Sequence, residues 1–188
     1  MHTKSEFNAL FEKYITRDGS ADLHAWLEKS SFFKDPSSTR FHGNYAGGLC
    51  DHSVNVYNRL WSLRETFGLC SVSEETLAIV SLLHDLCKVG KYQQEMRNVK
   101  TAAGWESKPF YKHVDTEPFG YHGPASVFII QRHMRLTDEE TAAIACHMGA
   151  YDRPTTDYSL SDVYKKYPLA YALHVADCLA SFYDEITV

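Results

Sequence analysis

Apolar residues recur every three or four positions along most of this chain, which is the spacing of one face of an α-helix. Ser20 and Ser73 are suited to cap the helices that follow them, Thr137 and Glu140 have the form of a capping box, and Pro168 suits a first helical turn. Together these signals predict helices over about residues 5–15, 20–29, 49–66, 74–85, 124–134, 138–147 and 169–183. The chain is therefore predicted to be mainly helical.

One segment departs from the helical pattern. Residues 92–117 alternate in places between apolar and polar side chains around Ala103 and Gly104, which indicates a β-hairpin. The sequence leaves open whether this hairpin is a substrate lid, a partner surface or only an insertion. We predict an all-α helical bundle with this small hairpin insertion, in one domain over residues 1–188. Its core spans about residues 40–183, and the N-terminal helices of residues 5–30 pack on that core.

Composition narrows the class of protein. The 188 residues are 44% hydrophobic and 23% charged, as in ordinary globular domains. The net charge of −5 argues against long nucleic acids and anionic membranes as partners, although it leaves room for a small basic pocket that holds one phosphate. No apolar run suits a membrane span or a signal peptide, and the five cysteines are dispersed without a CxxC pair. These features predict a cytoplasmic protein with reduced cysteines.

The most informative stretch is an apolar run that ends in an imidazole and a carboxylate. Residues 76–83 are mostly aliphatic, and His84 and Asp85 follow them directly. An unpaired charge buried in a core costs several kcal/mol, whereas a metal ion bound by both side chains removes that penalty. The sequence therefore predicts a metal site here, with its other ligands supplied from elsewhere in the chain.

Further candidate ligands lie at the ends and starts of the other predicted helices. The full candidate set is His52, His84, Asp85, His122, His147 and Asp177. Helical bundles build metal sites in this way, from inward side chains on facing helices. Nitrogen and carboxylate donors without thiolates suit iron, manganese, zinc, cobalt, nickel or magnesium. Six donors are more than one tetrahedral site needs, and they suffice for two divalent ions if one carboxylate bridges.

The residues of these motifs and their order along the chain resemble those of the HD-domain metalloproteins of the phosphohydrolase superfamily, in the binuclear branch of that superfamily. Residues 84–88 read His-Asp-Leu-Cys-Lys, similar to the HD-x-G-K signature, with Cys87 where glycine is more usual. Residues 45–53 resemble the start of the family's first metal helix, and residues 174–177 its closing aspartate helix. The resemblance covers about residues 40–183.

The resemblance implies two metal ions that share one carboxylate. The first ion would be held by His52, His84, Asp85 and Asp177, and the second by Asp85, His122 and His147. A water between the ions would lose a proton near neutral pH and attack phosphorus in line.

Other residues near the implied site carry candidate roles in substrate binding and support. Lys88 lies one helical turn beyond His84 and could offer its charge to a phosphate oxygen, so we place Asp85 and Lys88 as the catalytic residues. Arg40 and His42 precede a Gly-Gly turn and either face the site as substrate-binding residues or belong to a solvated loop. His174 is either a hydrogen-bonding partner of a ligand or part of the core.

Three functions follow from the resemblance. The first is a metal-dependent phosphohydrolase, a phosphodiesterase or phosphatase that acts on a nucleotide or similar small phosphate ester. The second is a mixed-valent di-iron oxygenase, which needs the same ligand types. The third is a non-catalytic domain that binds metal or nucleotide, and the complete ligand set argues against it. Lys88 favours the first function, because an ammonium group suits a phosphate substrate.

Overall fold

The computed structural model of the chain describes residues 2–102, 104–114, 121–152 and 159–185. Within these ranges it forms eight α-helices and one antiparallel hairpin, which confirms the predicted fold class. The elements are α1 (Lys4–Tyr14), α2 (Ser20–Lys29), α3 (Gly48–Leu63), α4 (Glu74–Leu83), β1 (Tyr92–Thr101), β2 (Gly104–His113), α5 (His122–Gln131), α6 (Asp138–Cys146), α7 (Ser159–Lys166) and α8 (Pro168–Leu179). Short 3₁₀ turns at Leu86–Lys88 and Gly149–Asp152 follow α4 and α6, and a π-helical turn at Ala180–Asp184 extends α8.

Polar caps fix several helix starts. The Ser73 side chain accepts a hydrogen bond from a backbone N–H in the first turn of α4, and Thr137 and Glu140 form the predicted capping box of α6. The prediction of Ser20 as a cap is wrong, because Gly19 holds the N-cap position of α2 with φ 88°. A Cβ at Gly19 would come within 2.0 Å of a backbone carbonyl oxygen after α5, so the close approach requires glycine.

The hairpin is confirmed over two ten-residue strands. Tyr92 pairs with His113 at its base, and Thr101 pairs with Gly104 at its tip. Residues 103 and 115–117 of the predicted hairpin lie outside the described residues. Most side chains on both strands are exposed, while the Tyr92 hydroxyl at the base donates a hydrogen bond to the Ser37 carbonyl at 3.4 Å. The hairpin therefore projects from the helical body close to the loop that carries His42.

Helix α7 is an element that the sequence pattern did not predict. Its apolar residues Leu160, Val163 and Tyr164 form one short stripe that is only half-buried. This stripe lies against α8, and the Tyr164 hydroxyl donates a hydrogen bond to the carbonyl of Cys146 at 3.2 Å. A stripe of a single turn is too short for periodicity to identify a helix with confidence.

The core is built around α3. This helix packs against α1, α4 and α8, and its Leu49, Val56 and Leu60 side chains are fully buried. Helix α1 contributes Phe7 and Phe11 to the same core. The assignment of the whole chain to one domain stays a prediction. Among the described residues, no helix has both the length and the apolar character needed to cross a membrane.

One glycine sets how closely two site-bearing helices approach. Gly123 lies in the first turn of α5, and a Cβ there would come within 2.4 Å of the Ile144 carbonyl oxygen and 2.5 Å of the Ala145 carbonyl oxygen in α6. Any other residue would push the two helices apart. This contact brings His122, at the start of α5, next to His147, which directly follows α6.

Candidate metal centre

The six candidate ligands converge on one buried point. They come from five places in the fold: His52 from α3, His84 and Asp85 from the end of α4, His122 from the start of α5, His147 from the end of α6, and Asp177 from α8. The side chains of His52, His84 and His147 are fully buried, and that of Asp85 is 2% exposed. The structure therefore brings together all the residues that the sequence singled out, although their binding of metal remains a prediction.

Asp85 lies at the middle of the cluster, and its two oxygens face different histidines. Oδ2 is 3.5 Å from Nε2 of His52 and 3.4 Å from Nε2 of His84. Oδ1 is 3.6 Å from Nε2 of His122 and 3.5 Å from Nε2 of His147. One carboxylate thus stands between two pairs of imidazoles, which is the arrangement a bridging ligand requires.

Asp177 completes the side of the cluster that contains His52. Its Oδ1 lies 3.3 Å from Nε2 of His52 and accepts a hydrogen bond of the same length from the Ser181 hydroxyl. Burial alone would raise the pKa of Asp177, but its hydrogen bond with His52 and the nearby positive charge hold the pKa well below its usual range. Asp177 is therefore ionised and available as an anionic donor.

Two of the histidines are oriented by their own helices. Nδ1 of His84 donates to the Ser81 carbonyl at 2.8 Å, and Nδ1 of His147 donates to the Ile144 carbonyl at 2.7 Å. Each acceptor lies three residues earlier, where the end of a helix leaves carbonyls available. Because Nδ1 carries the hydrogen, the Nε2 lone pair of each ring points into the cluster.

A carboxylate that the sequence reasoning missed orients the third buried histidine. Nδ1 of His52 donates to Oε1 of Glu185 at 2.9 Å, and the Asn55 side-chain amide donates to the same oxygen at 3.0 Å. Burial would lower the pKa of His52, but the charge of Glu185 and hydrogen bonds to Asp177 and Asp85 raise that pKa well above its usual value. The acceptors around His52 therefore favour a positive charge at its Nε2, which either a proton or a bound cation supplies. A signal existed in the sequence, since Glu185 follows Asp177 by about two helical turns.

The donor set fits a cation on its own geometry. The Nε2 atoms of His52 and His84 lie 3.2 Å apart, so two lone pairs face each other once both Nδ1 atoms carry hydrogen. Oδ1 of Asp85 and Nε2 of His147 are buried without a hydrogen-bond partner among the described residues. Buried polar atoms normally have partners, and divalent metal ions with nitrogen and oxygen ligands would satisfy all four.

Comparison with known families identifies the fold to which this cluster belongs. A model of the HD domain matches residues 49–181, which is more than half of the chain. The chain belongs to the HD domain family. The HD superfamily consists largely of metal-dependent hydrolases, and its members bind divalent metals. Comparisons with curated proteins and with solved structures gave no match.

Lys88 of this HD domain lies against the central carboxylate. Its Nζ is 2.6 Å from Oδ2 of Asp85, and the charge of Asp85 raises the pKa of Lys88 although burial opposes this. Lys88 ends the 3₁₀ turn, in which Cys87 replaces the more usual glycine. Every described residue with positive φ is a glycine, so Cys87 adopts ordinary backbone angles, and its N–H donates to the Ser126 hydroxyl at 3.0 Å. Cys87 therefore adds no left-handed backbone strain beside Lys88.

A cavity of about 660 Å³ opens beside the cluster, and Asp177 is the one described candidate ligand that lines it. Lys88, Asp177 and Glu185 form its inner wall. Phe41 and Tyr151 stand at its rim with 74% and 78% of their surface exposed. The volume lies in the range of small-molecule sites, and an apolar rim surrounds a charged floor of one ammonium and two carboxylates.

The remaining predicted site residues occupy different positions around this cavity. Arg40 is exposed and lines it, whereas the His42 ring is largely buried with its centroid 4.9 Å from that of His52. Burial, together with the charge of His52 and Lys88, lowers the pKa of His42 to about 4, so this ring is neutral near pH 7.

His174 also lines the cavity, and its Nδ1 donates to the His147 carbonyl at 2.7 Å. His174 thus supports the backbone of a candidate ligand.

Proposed function

We propose that this HD domain is a metal-dependent phosphohydrolase, a phosphatase or phosphodiesterase that acts on a nucleotide or a similar small phosphate ester. The observation that carries the proposal is the position of Asp85, whose two oxygens face separate histidine pairs beside an open cavity. Such a site suits two-metal hydrolysis, in which both the attacking and the leaving oxygen need stabilisation.

The metal-binding roles follow from which atoms face each other. His52, His84, Asp85 and Asp177 would hold one ion, and Asp85, His122 and His147 would hold the other. Bound divalent ions supply Lewis-acid polarisation of a phosphoryl group and a nucleophile at neutral pH. The metal identity stays open among iron, manganese, zinc, cobalt, nickel and magnesium.

The chain's own residues position the substrate. Lys88 is the buried cation that reaches both Asp85 and the cavity, so its ammonium group can donate a charge-assisted hydrogen bond to a phosphate oxygen. Arg40 adds positive charge at the rim. Phe41 and Phe182 offer apolar surface on which the organic part of an ester can pack, and they exclude water from the floor when it is bound.

We include in this proposal a cytoplasmic location and no long nucleic acid as substrate. None of the five cysteines forms a disulfide, as is usual in a reducing compartment. The cavity volume of about 660 Å³ supports a small ligand such as a nucleotide as substrate.

The test is elemental analysis of anaerobically purified protein, followed by a panel of phosphate monoesters and diesters assayed under nitrogen. We expect one or two equivalents of metal per chain and ester hydrolysis that a chelator abolishes, measured as phosphate release from monoesters and as release of the alcohol from diesters. The Asp85→Asn variant should hydrolyse no ester under the same conditions. Metal-loaded protein that hydrolyses no ester on the panel would contradict the proposal.

The same six donors also suit a mixed-valent di-iron oxygenase, because that chemistry needs the same histidine and carboxylate ligands. Lys88 favours the phosphohydrolase, since this cation lines the cavity and an ammonium group suits a phosphate oxygen. Dioxygen uptake by iron-loaded, partly reduced protein with a phosphonate or polyol, together with no hydrolysis of esters, would favour the oxygenase. If neither ester hydrolysis nor dioxygen uptake is detected while metal is still bound, a non-catalytic binding domain is favoured.

A further inference from the structure

Two buried polar atoms, on residues that line the cavity, have no role in the metal arrangement described above. Nε2 of His42 and Oε2 of Glu185 are both buried and have no hydrogen-bond partner among the described residues. Both residues line the cavity, and the Glu185 side chain is only 2% exposed. One ligand-capable nitrogen or oxygen atom from each of His42, His52 and Glu185 lies within 4.8 Å of the other two, so the His42 ring and the Glu185 carboxylate are neighbours.

Both groups are held in place by contacts that leave these atoms available. Oε1 of Glu185 accepts from Nδ1 of His52 and from the Asn55 amide, so Oε2 is the oxygen left for another partner. The backbone carbonyl of His42 accepts hydrogen bonds from the Ser37 and Ser38 hydroxyls at 2.9 and 2.6 Å. These bonds fix the loop that positions the His42 ring over His52.

A buried polar atom without a partner destabilises the site, so a ligand group that satisfies both atoms gains affinity from them. The carboxylate oxygen of Glu185 can only accept a hydrogen bond, and Nε2 of His42 donates one when it carries the ring hydrogen. A hydroxyl group meets both requirements, because it donates one hydrogen bond and accepts another. Phosphate oxygens cannot serve here, since they would face the Glu185 carboxylate.

We propose that His42 and Glu185 form a hydroxyl-binding subsite, and that the substrate is a phosphate ester carrying a free hydroxyl close to its phosphate. The inference rests on the proposed phosphohydrolase function, which places the phosphate at the metal cluster. Glu185 bonds directly to His52, one of the candidate ligands, so a hydroxyl at this subsite lies beside that phosphate. Polyol and sugar phosphates, including the sugar part of nucleotides, fit this description.

The experiment compares pairs of esters that differ by one hydroxyl. Glycerol 3-phosphate is paired with propyl phosphate, and adenosine 5′-monophosphate with its 2′-deoxy and 3′-deoxy forms. We expect the metal-loaded wild-type protein to favour the hydroxylated member of at least one pair by about tenfold or more in kcat/KM, because loss of the hydroxyl leaves two buried groups unpaired.

Protein variants separate recognition of the hydroxyl from general damage. His42→Phe keeps a ring beside His52 but removes the nitrogen, so the ratio between the paired esters should fall to within about threefold. Met148→Leu, an apolar change in the same cavity wall, should keep the wild-type ratio. A purely structural role of His42 would lower turnover of both esters equally and leave the ratio intact.

The outcomes distinguish this inference from the function on which it rests. Turnover of paired esters at equal rates by the wild-type protein would overturn the hydroxyl subsite and leave the phosphohydrolase intact. If the His42→Phe variant still discriminates between the paired esters, that result would also overturn the hydroxyl subsite and leave the phosphohydrolase function intact. Failure to hydrolyse any ester would overturn the phosphohydrolase function and the subsite with it.

Discussion

Oε1 of Glu185 lies 2.9 Å from Nδ1 of His52, although 133 positions separate the two residues in the chain. The carboxylate fixes the ring so that Nε2 points towards Asp85 and Asp177. Carboxylate–imidazole pairs of this kind orient metal-binding histidines and increase their basicity.

Glu185→Gln should therefore weaken metal binding by about 10–100-fold, the range for losing such a supporting group. The amide keeps the shape of the side chain but removes its charge. Isothermal titration with Mn²⁺ or Zn²⁺ measures the effect. Asp184→Asn is a matched control, because this neighbouring acid bonds to the surface residue Arg59 instead. Equal affinity in Glu185→Gln and wild type would show that the pair does not support the ligand.

Asp85→Ala should lose metal from both halves of the cluster and all activity, because each of its oxygens faces a separate histidine pair. His147→Ala should lose mainly the ion on its own side. Metal per chain after dialysis, measured by mass spectrometry, distinguishes the two. His113→Ala, an exposed histidine on the hairpin, serves as control. The bridging role of Asp85 fails if both cluster variants lose the same amount of metal.

Lys88→Ala should keep metal content near that of the wild type while losing about 2–4 kcal/mol of transition-state stabilisation, the range for one buried electrostatic donor. Lys88 contacts Asp85 without being able to bind metal while charged, so its loss leaves the ligands intact. Arg40→Ala should have a smaller effect, since its exposed charge is screened by water. Steady-state kinetics on the best ester, with metal analysis in parallel, provides the measurement. A large loss of metal in Lys88→Ala would contradict this role.

Arg17→Met should lower the free energy of unfolding by about 3–5 kcal/mol, the cost of leaving a buried charge without its partner. Two nitrogens of Arg17 lie 2.7 and 2.8 Å from the carboxylate of Glu140, which is fully buried in α6. Lys165→Met removes one partner of the exposed pair with Asp162 and should change stability little. Urea unfolding followed by circular dichroism compares the two. Similar values for both variants would refute a structural role for Arg17.

The ionisation of Glu75 should make the free energy of unfolding depend on pH. Burial opposes its ionisation, but hydrogen bonds from the backbone N–H groups of Thr16 and Arg17 and the charge of Arg17 lower the pKa of Glu75 overall. Because the folded pKa lies below the unfolded value of about 4.3, the stabilisation is complete above that pH and is lost as pH falls further. The difference in unfolding free energy between wild type and Glu75→Gln should thus be largest at pH 7 and shrink towards pH 3.5. A constant difference would contradict this assignment.

The sequence by itself determined the helical order and the residues of the cluster. Apolar spacing and local caps such as Ser73 and Thr137 act within a few residues, so they can be read along the chain and they define most helices correctly. The His84–Asp85 pair after an apolar run pointed to a buried charged site, and the HD resemblance supplied the remaining candidates. Helix α7 was not predicted, because its apolar stripe covers a single turn. Ser20 is not the N-cap of α2, because the close approach of a distant backbone carbonyl requires Gly19 at that position.

Only the tertiary structure decided how these residues meet. Which oxygen of Asp85 faces which histidine depends on helix packing, including the contact between α5 and α6 that Gly123 permits. The bond between His52 and Glu185, and the two buried unpartnered atoms of His42 and Glu185, join segments far apart in the chain. No local pattern encodes such pairs, because hydrogen bonds and desolvation depend on distances that exist only after the helices have packed.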